Sequence, residues 1–164
     1  MELKKVDVAI IGAGTAGMTA YRAAKEHTNS VLVIESGVYG TTCARVGCMP
    51  SKLLIAAAEI SHQIDYSAQF GIDVKVKSID GRRVMDRVKA ERDRFVGFVE
   101  EAVESWPTEH KLIGKAVFTG ANELQVDGHT KVIAKRIVIA AGSRPMVPGP
   151  WYELGDRLLI NDDV

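Results

Sequence analysis

An α/β fold with a parallel sheet, a helical insertion and a small antiparallel β-meander is predicted by three features of this 164-residue sequence. Near the start, a short apolar run gives way to glycines, then to a helix-periodic stretch, then to a second apolar run. A long amphipathic stretch occupies the middle. Three short strand-like runs separated by turn signals follow it.

Val6 to Ile11 is rich in Val and Ile, the pattern of a parallel strand buried on both faces. A glycine-broken turn leads to a helix from about Thr15 to His27, with Met18, Ala20, Tyr21 and Ala24 on or near one face. Val31 to Ile34 is a second buried strand and ends in Glu35. Such a β-α-β unit has a right-handed crossover and parallel strands.

Ser36 to Gly47 is polar and punctuated by glycine, so a loop carrying Cys43 is expected. A helix should begin near Met49 or Pro50, where the missing proline donor costs little, and run to about Ile64. After a loop around Gly71, Ile79 to Trp106 reads as one long helix ended by Pro107. Its apolar side is Val84, Val88, Phe95, Val99, Ala102 and Val103.

Lys111 to Thr119, Glu123 to Val126 and Thr130 to Ala134 form the expected meander, with turns at Gly120-Ala121-Asn122 and Asp127-Gly128. Arg136 to Ala141 returns as an apolar strand. The last twenty residues, with Pro145, Pro148, Gly149 and Pro150, read as a connector. The domain expectation is therefore 1–144 as one folded segment and 145–164 as a linker.

Charge narrows the function. Lysine plus arginine equals aspartate plus glutamate at 21 each, which points away from nucleic acid and from a membrane surface. The charged run from Arg82 to Arg94 alternates in sign and reads as a solvated helix face with i,i+4 pairs. The apolar stretch Val8 to Ile11 is too brief for a signal sequence or a membrane span, so a cytoplasmic protein is expected. In that compartment two close cysteines are more often catalytic, redox-sensing or metal-binding than a structural staple. Two thiolates do not complete a zinc site, and no histidine lies at finger spacing, so no metal site is expected.

Gly12, Gly14 and Gly17 fall in the pattern G-x-G-x-x-G between a strand and a helix. The first permits the tight turn, the second lets a pyrophosphate approach the backbone, and the third allows close helix–strand packing. Free N–H groups and the positive end of the helix dipole then face the phosphates. Glu35 closes the second strand 18 residues after Gly17, where an acid accepts hydrogen bonds from a ribose 2′-hydroxyl. An acid there favours FAD or NAD over NADP. Strand, glycines, helix and acid together predict a Rossmann-like dinucleotide cradle.

Cys43 and Cys48 are the only cysteines. On a regular helix their Cα atoms would be roughly 8.6 Å apart, beyond the reach of about 7 Å that a disulfide tolerates. They can bridge only if the backbone between them is non-helical, and Gly47 and Pro50 suit such a distortion. The alternative is two reduced, half-buried cysteines without a chemical task.

The run from Gly40 through Thr41, Thr42, Cys43, Arg45, Gly47, Cys48, Pro50 and Ser51 to Lys52 resembles the redox signature of the class I pyridine nucleotide–disulfide oxidoreductases. Fingerprint, acid, dithiol and the later Ala140-Ala141-Gly142-Ser143-Arg144-Pro145 occur in that family's order and cover nearly the whole chain. The resemblance implies a Rossmann-like FAD-binding domain, with NAD used by a full-length parent. It implies that Cys48 faces the flavin and Cys43 attacks substrate, as a Cys43–Cys48 disulfide in the oxidised form. Lys52 would lie near the flavin ring, and Ser36 and Thr42, on the loop between Glu35 and Cys43, would line the FAD. Ala116 would meet the adenine through its backbone, and Gly142 and Ser143 would approach the cofactor near the domain crossover. Ser51 before Lys52 is similar to the dihydrolipoamide dehydrogenase and mercuric reductase versions, so the implied substrate is a disulfide or dithiol such as lipoamide. Thr41 and Arg45 depart from a frequent glycine and a frequent asparagine.

Members of that family carry a second glycine fingerprint for the nicotinamide cofactor and a His–Glu acid/base pair contributed across a homodimer. Neither occurs in these residues, and His27, His62, His110 and His129 read as surface histidines. The chain is thus expected to be the N-terminal piece of a larger flavoenzyme, binding FAD weakly or not at all and not turning over alone. The alternatives are a mercuric or glutathione reductase parent, a non-catalytic nucleotide-binding or thiol redox module, and a non-functional piece whose unpaired strand drives association.

Overall fold

Alternation along the first two strands sorts their side chains onto two cores, because successive Cβ atoms of a strand point to opposite faces. In the computed structural model, which describes residues 1–75 and 78–163, β1 spans Glu2–Ile11 and β2 spans Val31–Glu35. Ala9, Leu32 and Ile34 enter one buried cluster, while Ile10, Val31 and Val33 enter the other. The described chain divides into two compact units, Met1–Thr41 with Phe98–Met146, and Thr42–Gly97 with Val147–Val164.

The first unit holds a six-stranded sheet in the order β3-β2-β1-β6-β5-β4. Here β3 is Lys111–Ile113, β4 Ala116–Gly120, β5 Glu123–Val126 and β6 Thr130–Ile139. The pairs β1–β2, β1–β6 and β2–β3 are parallel, and β4–β5 and β5–β6 antiparallel. Only Gly114 and Lys115 join β3 to β4, a link that spans at most roughly 11 Å between flanking Cα atoms. The two edge strands therefore meet at that end, and the sheet curls. Inside the curl, Ala9, Leu32 and Ile34 pack with Leu124, Val126, Val132 and Ala134 of the meander strands. Helix α1 (Thr15–Lys25) covers the opposite face, burying Gly17 and Tyr21.

Three expectations shift. β1 begins at Glu2 rather than Val6, because β6 runs beside it from Glu2↔Thr130 to Ile11↔Ile139 and pairs its polar start. The expected run Lys111 to Thr119 breaks at Gly114, whose φ of +149° turns the chain from the β2 edge to the β5 edge. The runs Thr130 to Ala134 and Arg136 to Ala141 are one strand, β6. Continuous pairing with β1 carries the backbone through Lys135, whose ammonium meets Asp7 at 2.6 Å.

His110 is a correction of a different kind. It is buried, not a surface histidine: the turn after Pro107 carries it beneath Tyr21, whose hydroxyl lies 2.8 Å from its Nδ1. Tyr21 also stacks on Trp106 with ring centroids 4.0 Å apart. His27, His62 and His129 are exposed as expected.

The second unit carries α2 (Thr42–Arg45), α3 (Cys48–Tyr66) and the first part of α4 (Gly81–Glu104). Asp80 caps α4, its carboxylate accepting the Arg83 N–H at 3.1 Å. Along α4 the buried line is Val88, Val96 and Val103, while Ala102 is exposed. On its charged face Arg94 pairs with Glu91, three residues before it, and Arg92 with the adjacent Asp93. Among the described residues no helix is long and apolar enough to cross a membrane.

Candidate functional site

The carboxyl ends of β1, β2 and β6 converge on the fingerprint. Gly12 donates its N–H to the Ile34 carbonyl at 2.7 Å, and Ala140 donates to Ile11 at 2.8 Å. Gly12 has φ +103°, and a Cβ there would collide with the Ala140 carbonyl oxygen. A Cβ at Gly17 would lie on the Gly12 carbonyl oxygen, so α1 sits against β1 as closely as glycine permits. Gly14 is the opposite case, with no atom within 4 Å of a Cβ built there. It forms the N-cap of α1 without a side-chain cap hydrogen bond.

Glu35 closes onto this loop. Its Oε2 accepts the Ala13 N–H at 2.7 Å and its Oε1 accepts the Gly37 N–H at 2.9 Å. Each carboxylate oxygen retains a further lone pair, which a hydroxyl donor can use. The Glu35 charge and, more strongly, burial raise the Tyr39 hydroxyl above its ordinary pKa. Gly114 donates its N–H to the Glu35 carbonyl at 2.8 Å, which anchors the segment running on to Ala116. Ser36 is exposed beside Glu35, and Gly142 (φ +71°) and Ser143 are exposed just past β6. The first unit thus brings Gly12, Gly14, Gly17 and Glu35 together, with Ala116 and Gly142–Ser143 on segments tied to the same strand ends. An open phosphate approach at Gly14, an uncapped helix start and a carboxylate on the loop fit an adenine dinucleotide without a 2′-phosphate.

The dithiol belongs to the second unit. Cys43 lies in the single turn of α2, within the stretch expected to be all loop, and Cys48 opens α3. Between them Gly47 has φ −119° and ψ −107°, outside the helical region. A Cβ at Gly47 would stand 3.0 Å from the Thr42 carbonyl oxygen and 3.5 Å from the Cys43 Cα. The chain therefore turns back on itself between the cysteines, the distortion that bridging demands. Both cysteines are free thiols here, Cys43 half-buried and Cys48 exposed. A hydrogen bond to the Cys48 sulfur, with burial in support, raises the Cys43 thiol above its ordinary pKa.

Thr42 is exposed at the start of α2, and Lys52 is exposed one turn beyond Cys48, on the same side of α3. Three contributors escaped sequence reasoning. Ala13 acts through its backbone N–H and Gly114 through the turn it permits, and neither is marked by side-chain chemistry. Asn161 donates from Nδ2 to the Val46 carbonyl at 3.1 Å, across 115 residues of chain. Among the described residues no group of three His, Cys, Asp or Glu could hold a metal.

The first unit carries a Rossmann-like cradle and the second a closely set pair of cysteines. This chain belongs to the pyridine nucleotide-disulphide oxidoreductase family, whose sequence profile matches residues 6–156. It is 29% identical over 162 residues to a dihydrolipoyl dehydrogenase of Halobacterium salinarum, covering 94% of this chain and 33% of that protein. It is 32% identical over 163 residues to a glutathione reductase of Burkholderia cepacia, covering 99% and 35%. The solved structure of the HOCl-induced flavoprotein disulfide reductase RclA from Escherichia coli matches with a TM-score of 0.66 and 26% identity, over 87% of this chain and 29% of RclA. The chain spans about a third of the length of these relatives.

Proposed function

We propose that this chain is the amino-terminal, FAD-binding and dithiol-bearing part of a flavoprotein disulfide oxidoreductase, with Cys43 and Cys48 as its redox pair. The observation that carries the reading is the reversal at Gly47, which sets the Cys43 thiol against the Cys48 sulfur. FAD, when bound, supplies the two-electron carrier between a nicotinamide and that dithiol.

The chain's own residues divide the remaining tasks. Gly14 and the first turn of α1 receive the pyrophosphate, and Glu35 accepts the ribose hydroxyls. Ser36, Thr42, Ala116, Gly142 and Ser143 line the cofactor. Lys52 adds a positive charge near the flavin ring. Cys43 takes the substrate side and Cys48 the flavin side. Oxidation joins the two sulfurs and releases two electrons and two protons, and reduction reverses it. Residues 1–144 are the first segment of the FAD-binding domain and 145–164 the connector to an NAD-binding domain of a homodimeric, cytoplasmic parent.

Lipoamide is the favoured substrate, because Ser51 precedes Lys52. A mercuric or glutathione reductase parent is the alternative, and the Burkholderia cepacia relative supports the glutathione version. A non-catalytic thiol redox module is the second reading.

Titration of the purified chain with FAD, followed by flavin fluorescence, is the test of the cradle. Quenching that weakens in Glu35→Ala supports it. Flavin fluorescence unchanged at every concentration removes the cradle from this chain acting alone. NADH-dependent lipoamide reduction by the chain alone would contradict its role as one part of a larger enzyme.

A further inference from the structure

We propose that Asn161 is a positioning residue for the dithiol: it clamps the loop between Cys43 and Cys48 in the arrangement from which the disulfide closes. The inference rests on the reading of Cys43 and Cys48 as a redox pair.

Val46 lies inside the loop that separates the two cysteines. Its N–H donates to the Thr42 carbonyl at 3.0 Å, closing the α2 turn. The next residue is Gly47, where the backbone leaves helical geometry. The Val46 carbonyl therefore belongs to the peptide that makes the reversal. Asn161 Nδ2 donates to it at 3.1 Å.

The donor is organised in advance. Asn161 Nδ2 also donates to Asp162 Oδ1 at 2.8 Å. An amide NH2 has two hydrogens and both neighbours are acceptors, so the nitrogen and not the oxygen must face Val46. The short turn Asn161–Asp163 is held from its other side, where Asp163 Oδ2 accepts the Ile160 N–H at 2.8 Å. One side chain thus ties a closed turn near residue 161 to the peptide that leads into the reversal at Gly47.

Losing that tie widens the range of loop conformations and lowers the effective concentration of one thiol at the other, which disfavours the disulfide relative to the dithiol. A single hydrogen bond of ordinary net strength corresponds to about a fivefold change.

The experiment equilibrates the chain in buffers of reduced and oxidised glutathione. Each Cys43–Cys48 disulfide formed then converts one glutathione disulfide to two glutathione thiols. Alkylation and mass measurement give the fraction oxidised. Asn161→Asp, which keeps the shape but presents no donor, is expected to lower the equilibrium constant for oxidation about fivefold. Asn161→Gln, which keeps an amide donor, is expected to recover most of it. Urea unfolding of the reduced proteins separates loop positioning from general stability: Asn161→Gln is expected to match the wild type, and Asn161→Asp to lose no more than one hydrogen bond is worth. An equilibrium constant unchanged in Asn161→Asp overturns the clamp while leaving the redox pair intact. A wild-type chain that forms no intramolecular disulfide at any glutathione ratio overturns the reading beneath it.

Discussion

Gly47 packs against the backbone of Cys43, so closely that a Cβ would stand 3.0 Å from the Thr42 carbonyl oxygen and 3.5 Å from the Cys43 Cα. That contact replaces the regular helix on which the two cysteines would be held apart. Gly47→Ala must push the carbonyl or the reversal outward. The expected cost is about 1 kcal/mol of stability, with a larger loss in the rate of intramolecular disulfide formation. Urea unfolding and timed alkylation after addition of oxidised glutathione measure the two effects separately.

The Cys43 proton is held first by its hydrogen bond to the Cys48 sulfur and then by burial. Cys48→Ala removes the first cause and leaves the second. The Cys43 pKa is therefore expected to fall toward the ordinary thiol value, and its alkylation at pH 8 to accelerate, because the thiolate is the reacting form. A pH profile of iodoacetamide modification, with the modified residue identified by peptide mass, checks the direction.

Glu35 accepts two backbone N–H groups, from Ala13 and Gly37. Glu35→Ala is expected to cost about 1–3 kcal/mol and to loosen the fingerprint loop that Gly12 and Gly17 pack so tightly. Thermal or urea unfolding gives the stability change. Hydrogen exchange is expected to show the lost protection at Ala13 and Gly37, with the strand interiors of β1 and β2 unaffected.

Asp7 joins Lys135 at 2.6 Å and accepts the Thr28 hydroxyl at 2.6 Å. These contacts hold its carboxyl below the usual aspartate pKa, the Lys135 hydrogen bond contributing most. A lowered folded-state pKa gives stability that is present above the unfolded value and lost as pH falls through the folded one. Asp7→Asn should therefore be less stable than the wild type at neutral pH, with the difference closing in acid below the ordinary carboxylate range. Urea midpoints at a series of acidic pH values test the sign.

Much of the fold was legible because it is local. Val6–Ile11, the glycines and Val31–Ile34 encode a β-α-β unit by periodicity alone, and Glu35 follows from its position at a strand end. The extension of β1 to Glu2 was not legible, because Leu3, Lys4 and Lys5 carry no strand alternation of their own and are ordered by pairing with β6. The break at Gly114 was hidden for a similar reason. Its positive φ serves the return of the chain to β5, a partner that comes later in the sequence.

At the site, chemistry that resides in side chains could be read and chemistry that resides in the backbone could not. Cys43, Cys48 and Glu35 declare themselves by type and spacing. The Ala13 N–H and the Val46 carbonyl are ordinary peptide groups, engaged by Glu35 and Asn161 only through where the chain places them. His110 was misplaced because a lone histidine after a proline looks like a surface residue. The partner that buries it, Tyr21, lies 89 residues away.

The central claim is that Cys43 and Cys48 form a reversible redox couple within one chain. The most direct measurement is the intact mass and peptide map of the purified chain after exposure to oxidised glutathione and again after dithiothreitol. The account predicts loss of two hydrogens, a single Cys43–Cys48 cross-linked peptide, and full recovery of both thiols on reduction. Two thiols that stay alkylatable under strong oxidation, or that yield only cross-links between chains, would contradict it.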